Sequence, residues 1–501
     1  MSSTKKKLTI NATSSMMQVA FTALLYFFLY KYLLNTLGAQ QLGVWSLILS
    51  FSSIANLANL GLTSGLVKFV AEYIAEKKDE KIGKLILTSF ISLAILFFLV
   101  GLLILWGAKY FLHLVIDKQF LNVALSILPL SLTSLCVNAA SGVFTSVLEG
   151  YQKNYLRNFI YVFSGIVMYG GTIILTPVFH LQGVAIAQLI QGVFILFSSL
   201  IIMMKINPNN RFKYWKWSTQ SFKELFNYGY KFQFVSICQL LFEPTTKLLL
   251  SKFGGLAMLA HYEMANRLVN QCRALLVSAN QVVIPVVAET VKTKSRAHLR
   301  DLYAMMNRIM LLLTFPLSML LIILTPLISI LWIGTIEINF TYSVYVLTLG
   351  TIFNIMSGPS YFSCMGEGRL NIPLLSHISM AIINIILGVV FGYFWGGVGI
   401  ILAWGIALAL GSMATLILYQ SSINITLKQI YTKNDISTLI FSVVSIIASI
   451  VLFSLNIFWI TVYIKTIFLI IIYSVFIIWI IRNNDLINDV INKYVKRKVN
   501  L

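Results

Sequence analysis

Within the apolar stretch LLFEPTTKLLL, Glu243 and Lys247 stand four residues apart. The next apolar segment repeats the arrangement in HYEMANRLVNQCR, with Glu263, Arg267 and Arg273. A charge near the centre of a bilayer costs roughly 2.5–3.5 kcal/mol on insertion scales, so charges there need a partner or water. On a helix, Ser236, Gln239, Glu243 and Lys247 fall on one face, as do Glu263, Asn266, Asn270 and Arg273. Asn11, Ser14, Gln18 and Thr22 form a similar stripe near the N-terminus. Two chemistries fit. In one, Glu243–Lys247 and Glu263–Arg267 neutralise each other as i,i+4 pairs or pair across the two helices. In the other, an excess of cations lines a cavity and holds an anion, with Arg suited to phosphate because its fork grips two oxygens. The cationic candidates are Arg267, Arg273, Lys247 and Lys31. Glu243 and Glu263 are candidates for ion coupling or salt bridging, and Asn11, Gln18, Gln239 and Asn270 for polar lining. Lys31, Lys68, Lys231, Arg273 and Arg308 have no acidic partner in their own segments. All but Arg273 lie near segment ends, where a long side chain can reach the interface.

The elements that must position these residues are membrane spans. The chain of 501 residues is 58% hydrophobic and 11% charged, against about a quarter charged in a soluble domain. Its apolar runs are continuous, which excludes the short alternating strands of an outer-membrane barrel. Hydropathy places spans near 10–35, 42–70, 86–108, 120–146, 156–178, 182–204, 225–250, 257–288, 303–333, 341–364, 372–394, 398–420, 437–456 and 460–481. Basic residues outside the spans collect on the side that holds both termini, from Lys5-Lys6-Lys7 to KYVKRK, leaving Lys109, Lys118 and Lys252 on the other. The positive-inside rule then puts both termini in the cytoplasm and accounts for the net charge of +21 without nucleic acid. Ser221 to Glu224 fits a capping box, and the aromatics Tyr214, Trp215 and Trp217 suit the headgroup region. The tail from Arg482 has the pattern of either an amphipathic surface helix or a solvated segment. Pro244 beside Glu243 predicts a kink, either a hinge or a fixed bend.

Shifting the sequence by 216 residues aligns Asn11 with Asn227, Lys31 with Lys247, Gly38 with Gly254, Ser141-Gly142 with Ser357-Gly358, and Gly150 with Gly366. Six spans lie within the offset, so the copies share one orientation, as in a parallel repeat. The expected organisation is an all-α polytopic membrane protein of about fourteen helices. An N-lobe covers 1–220, a C-lobe 221–436, an added helix pair 437–481, and a basic cytoplasmic tail 482–501. The four cysteines form no CxxC pair and the histidines no ligand pair, so no metal or cofactor is expected.

The stretch LGAQQLGVWSLILSFSSIANLANLGLTSGLVKFVAE, with Leu37-Gly38, Gly43 and Leu60-Gly61-Leu62, resembles the opening of bacterial polysaccharide and oligosaccharide flippases. GVAIAQLI at Gly183 and GEGRLNIP at Gly366 fit the later short turns of that family. The resemblance implies a fold like the multidrug and toxic-compound exporters (MATE-like), located in the bacterial cytoplasmic membrane. It also implies the movement of an undecaprenyl-diphosphate-linked oligosaccharide to the outer leaflet for O-antigen, lipopolysaccharide or capsule-like polysaccharide. Membrane lipids and glycan polymerase machinery are the implied partners. A cation-coupled multidrug exporter on the same fold is the alternative, with Glu243 and Glu263 as coupling acids. A membrane enzyme is not expected, because the outer loops are too short to hold a glycan site.

Overall fold

The computed structural model describes residues 3–55, 61–207, 213–281, 296–369, 371–454 and 462–485, with Asn59, Val287, Thr290 and Asn488. Side chains are described within these except at 3–9, 12, 52–55, 109, 230–241, 278–281 and 454. Among the described residues the secondary structure is helical. The helices are α1 (Ser3–Ala55), α2 (Leu62–Ala75), α3 (Asp79–Phe111), α4 (Lys118–Gly150), α5 (Asn154–Ile206), α6 (Thr219–Phe253) and α7 (Gly255–Gln281). They continue as α8 (Arg296–Ile333), α9 (Ile338–Met356), α10 (Gly358–Glu367), α11 (Asn371–Ile423), α12 (Leu427–Ile430), α13 (Lys433–Ser454) and α14 (Val462–Asn483).

Nine helical stretches among the described residues are long and apolar enough to cross a membrane. Helices α5 and α11, of 53 residues each, would be about 80 Å long if straight, against a hydrocarbon core of about 30 Å. Each is broken instead, at His180 and at Gly396, and α1 is broken at Gly38. Those three stretches therefore count twice. With α6 and α7, the least apolar of the long helices, they account for the fourteen expected spans. The second and tenth spans are interrupted. α2 starts afresh after Gly61, which is left-handed at φ 71°. α10 starts at Gly358, where Pro359 lacks the N–H that would continue α9. α6 runs through Pro244.

The repeat is visible in the backbone. His180 (φ 49°, ψ −132°) and Gly396 (φ 60°, ψ −144°) break their helices in the same way, 216 residues apart. Gly38 and Gly255 both have φ 79°, and Gln152 (φ 57°) matches Gly368 (φ 75°). At both broken helices the chain reverses tightly. A Cβ on Gly183 would strike the carbonyl of Leu175, and one on Gly399 the carbonyl of Phe391. One copy thus places glycine, and the other histidine, at a backbone angle that disfavours a side chain. His180→Gly is expected to raise the unfolding free energy in detergent by about 1 kcal/mol, the strain relieved less the entropy that glycine adds to the unfolded chain. An unchanged or lower melting temperature would remove strain as a property of this turn.

By packing, the chain forms two units, Met1–Glu263 with Val389–Ile400, and Met264–Gly388 with Ile401–Leu501. The core of the first gathers Leu66 of α2, Leu93 of α3, Val147 of α4 and Ile195 of α5. That of the second gathers Met319 of α8, Ile352 of α9, Ile446 of α13 and Phe476 of α14. Lipid tails are as apolar as leucine, so helices in a bilayer associate by close packing and polar contacts rather than by the hydrophobic effect. Gly61 supplies such an approach, since a Cβ there would lie 2.7 Å from the Cα of Gly229.

Two local expectations are corrected. The cap of α6 is Ser218, whose Oγ accepts from the Ser221 N–H at 3.2 Å. The Ser221–Glu224 box does not form, because the Glu224 carboxylate accepts instead from Tyr73 Oη at 2.8 Å and from Gln220. Burial first, and that carboxylate second, push the Tyr73 phenol above its ordinary pKa. Trp215 stacks on Phe144, with 6.1 Å between ring centroids. Lys68 and Arg308 both have acidic partners, Glu72 at 3.6 Å and Asp435 at 2.6 Å. The basic tail beyond residue 488 lies outside the described residues.

Candidate functional site

The expected charged residues fall into two places, one in each unit. In the first unit, Lys247 of α6 reaches Glu263 of α7. Its Nζ lies 2.7 Å from Glu263 Oε2 and 3.0 Å from Glu243 Oε1. Glu263 is 1% exposed and Lys247 5%. Tyr30 Oη donates to Glu263 Oε1 at 3.1 Å, and Ser46 Oγ to Oε2 at 3.1 Å. Both carboxylate oxygens therefore hold donors, which a buried charge requires. Helix geometry brings these groups to one depth. Tyr30 and Ser46 lie eight residues to either side of Gly38, and Glu263 lies eight beyond Gly255, about 12 Å along each helix from its turn. Close to that end, Ser251 Oγ donates to the carbonyl of Val115, and Gly43 admits the backbone of Leu256 at a distance no Cβ would allow.

Other residues of the first unit have different surroundings. Asn11 bonds backbone, donating to the Gln152 carbonyl at 3.1 Å and accepting from the Tyr155 N–H at 3.2 Å. Its stripe neighbour Ser14, and Ser15 beside it, accept from Asn158, which is 1% exposed. Gln18 is half-buried and Lys31 exposed. The side chain of Gln239 lies outside the described residues, as do those of Lys231 and Ser236.

In the second unit, Arg273 of α7 is half-buried. Its Nε donates to Asn354 Oδ1 at 2.9 Å, and Asn354 Nδ2 donates to Ser412 Oγ at 3.2 Å. Arg273 also borders a small cavity with Ser318 and Leu321 of α8 and Thr348 and Thr351 of α9, with about 10 Å³ open to water centres. That is the room of about one water. Three helices converge here. Arg273, Asn354 and Ser412 lie eighteen, sixteen and sixteen residues from the turns at Gly255, Ile338 and Gly396, roughly 25 Å along each. On the same face of α7, Asn270 donates to Asn266 at 2.8 Å, and Arg267 is half-buried.

The structure thus places Lys247 and Glu263 together and sets Arg273 apart from them with Asn354. Tyr30, Ser46, Asn354 and Ser412 carried no sequence signal, being neutral residues in apolar runs. Among the described residues no group of His, Cys, Asp and Glu is arranged to hold a metal ion.

A multi-pass helical architecture with internally repeated turns and buried charge defines a polytopic α-helical membrane protein. The sequence model of the polysaccharide biosynthesis protein family matches residues 8–291, more than half of the chain, and the chain belongs to that family. Among solved structures it is similar in fold to the lipid II flippase MurJ in an inward closed conformation. The TM-score is 0.72 and the identity 16%, over 94% of this chain and 99% of that one. An inward-facing multidrug resistance MATE transporter of the MOP superfamily gives 0.68 and 15%, over 83% and 98%. A MOP superfamily transporter from Pyrococcus furiosus gives 0.59 and 15%, over 84% and 96%. No curated protein sequence matches the chain.

Proposed function

We propose that the protein flips a polyprenyl-diphosphate-linked oligosaccharide from the inner to the outer leaflet of the bacterial cytoplasmic membrane, supplying a surface polysaccharide of the O-antigen or capsule type. In this reading 1–220 and 221–436 are lobes that alternate access about a cavity, 437–481 is an added helix pair, and both termini are cytoplasmic. The observation that carries it is Arg273, a cation deep along its helix beside a small, mostly apolar cavity that Ser318, Thr348 and Thr351 also line. Guanidinium suits a diphosphate, and hydroxyls suit sugars and phosphate oxygens. Family membership and the fold of a lipid II flippase support the choice of a lipid-linked sugar over a drug. Arg267 and Arg273 are the proposed cargo contacts. Lys247 already serves two carboxylates, which favours a structural role for it and for Glu243 and Glu263 over coupling.

The test replaces Arg267 and Arg273 singly by Ala and by Lys in a strain lacking its own copy, and measures surface glycan at matched protein level. Arg273→Ala is expected to lower glycan export at least tenfold, the scale of a charge-assisted hydrogen bond of roughly 1.5–3 kcal/mol, and Arg273→Lys to recover only part. Full export in all four variants would remove these residues from the cargo path. Resistance to drugs lost on deletion, with glycan intact, would favour an exporter.

A further inference from the structure

We infer that Asn354 and Thr348 complete an oxyanion subsite around Arg273, Asn354 by positioning the guanidinium and Thr348 by donating a hydrogen bond from its hydroxyl. The inference rests on the diphosphate reading above and adds to it the residues that shape the site. Asn354 stands between two groups of opposite demand. Arg273 Nε–H needs an acceptor and finds Oδ1, while Nδ2 finds the oxygen of Ser412, which is fully buried. The reverse orientation of the amide would set N–H against N–H. The two bonds therefore fix the amide, and the amide fixes the guanidinium plane without neutralising it. An aspartate would hold the same plane but cancel the charge.

Thr348 supplies the independent observation. It is 2% exposed, and its Oγ1 has no hydrogen-bond partner. Many threonines in the described helices bond the carbonyl four residues back, as Thr325 does to Leu321 at 2.7 Å and Thr246 to Phe242 at 3.1 Å, whereas Thr176, Thr314 and Thr348 have no partner. Thr348 forgoes that bond, and it lines the cavity that Arg273 borders. A buried hydroxyl without a partner destabilises the resting protein. A ligand oxygen in the cavity would satisfy it, and the adjacent Arg273 makes that ligand an anion rather than a cation. The cavity has the room of about one water, which suits one oxygen of a phosphate group rather than a whole sugar.

The experiment measures binding by the purified full-length protein in nanodiscs, with undecaprenyl diphosphate and, separately, inorganic pyrophosphate as probes. Wild type is compared with Asn354→Ala, Asn354→Asp, Thr348→Val and Thr348→Ser. Each variant is checked for monodispersity and melting temperature. The expected result is binding of the lipid diphosphate weakened at least roughly tenfold by Asn354→Asp, the scale of one charge-assisted hydrogen bond, and less by Asn354→Ala. Thr348→Val is expected to bind more weakly yet melt higher, because it removes the unpartnered hydroxyl, and Thr348→Ser to bind as wild type. A merely structural Asn354 would tolerate the near-isosteric Asp. A merely structural Thr348 would show no split between stability and binding. Unchanged binding in all variants while wild type binds would overturn the subsite and leave the flippase reading standing. Wild type that binds neither probe would overturn both. Binding of pyrophosphate but not the lipid, lost in Asn354→Asp, would support the oxyanion chemistry and overturn the lipid as its source.

Discussion

Replacing Glu263 by alanine is expected to cost about 3–5 kcal/mol of unfolding free energy, the usual penalty for removing one partner of a buried ion pair. Lys247 would stay 5% exposed and keep Glu243, whose side chain is 45% exposed and correspondingly screened. Tyr30 Oη and Ser46 Oγ would lose their acceptor at the same time. Glu263→Gln is expected to cost less, because an amide oxygen still accepts from one of them. The double variant Lys247→Met with Glu263→Leu removes both charges at similar volume and is expected to recover most of the loss, since hydrophobic replacements of buried pairs are often neutral or stabilising. Thermal or denaturant unfolding in one detergent, across the four proteins, checks this. If the single alanine variant unfolds like wild type, or if the double is no better than the single, the pair does not anchor α1 to α6 and α7.

The same cluster measures what could be read from sequence. The segments and some turns were legible, because fourteen apolar stretches and the glycines at Gly38 and Gly183 follow from length, hydropathy and backbone freedom alone. Even the unusual conformation at His180 answers to its repeat mate Gly396. The pairings were less legible. Helical spacing reports which residues share a face, so Glu243 and Lys247 were visible as neighbours and are in contact. It does not report which face meets which. Lys247 is closer to Glu263 on the following helix, and the remaining bonds of Glu263 come from Tyr30 and Ser46, more than two hundred residues earlier. A tyrosine or serine within an apolar run looks like any other. Asn354 was hidden for the same reason, because its partners Arg273 and Ser412 lie on two other helices. Arg308 shows the limit most plainly. With no acid in its own span it read as a snorkelling cation, whereas its acid is 127 residues ahead.

That acid, Asp435, is the attachment of the last two spans, and its loss is expected to release them. Asp435 is fully buried at the start of α13. Its Oδ2 accepts from Arg308 Nε of α8 at 2.6 Å and from the N–H and hydroxyl of Thr432 at 2.9 and 2.8 Å. Its Oδ1 accepts from Asn484, just beyond α14, at 3.2 Å. One carboxylate thus caps α13, ties α14 to it and fastens both to α8. The apolar contacts among these helices, such as Ile446, Leu469 and Phe476 against Met319, compete in a bilayer with lipid contacts of similar strength. The polar attachment therefore carries a larger share than it would in water. Asp435→Ala leaves the mostly buried Arg308 guanidinium unpaired and uncaps α13, a loss of about 3–5 kcal/mol concentrated at one end of the unit. The expected signature is local: trypsin should cut at Lys428 or Lys433 under conditions where wild type is intact, while the first unit stays resistant. Arg308→Met with Asp435→Leu should restore resistance in part, because it leaves no unpaired charge but still lacks the cap. Cleavage spread evenly along the chain would mean that the helix pair does not separate as a unit. An Asp435→Ala protein as resistant as wild type would mean that packing alone holds it.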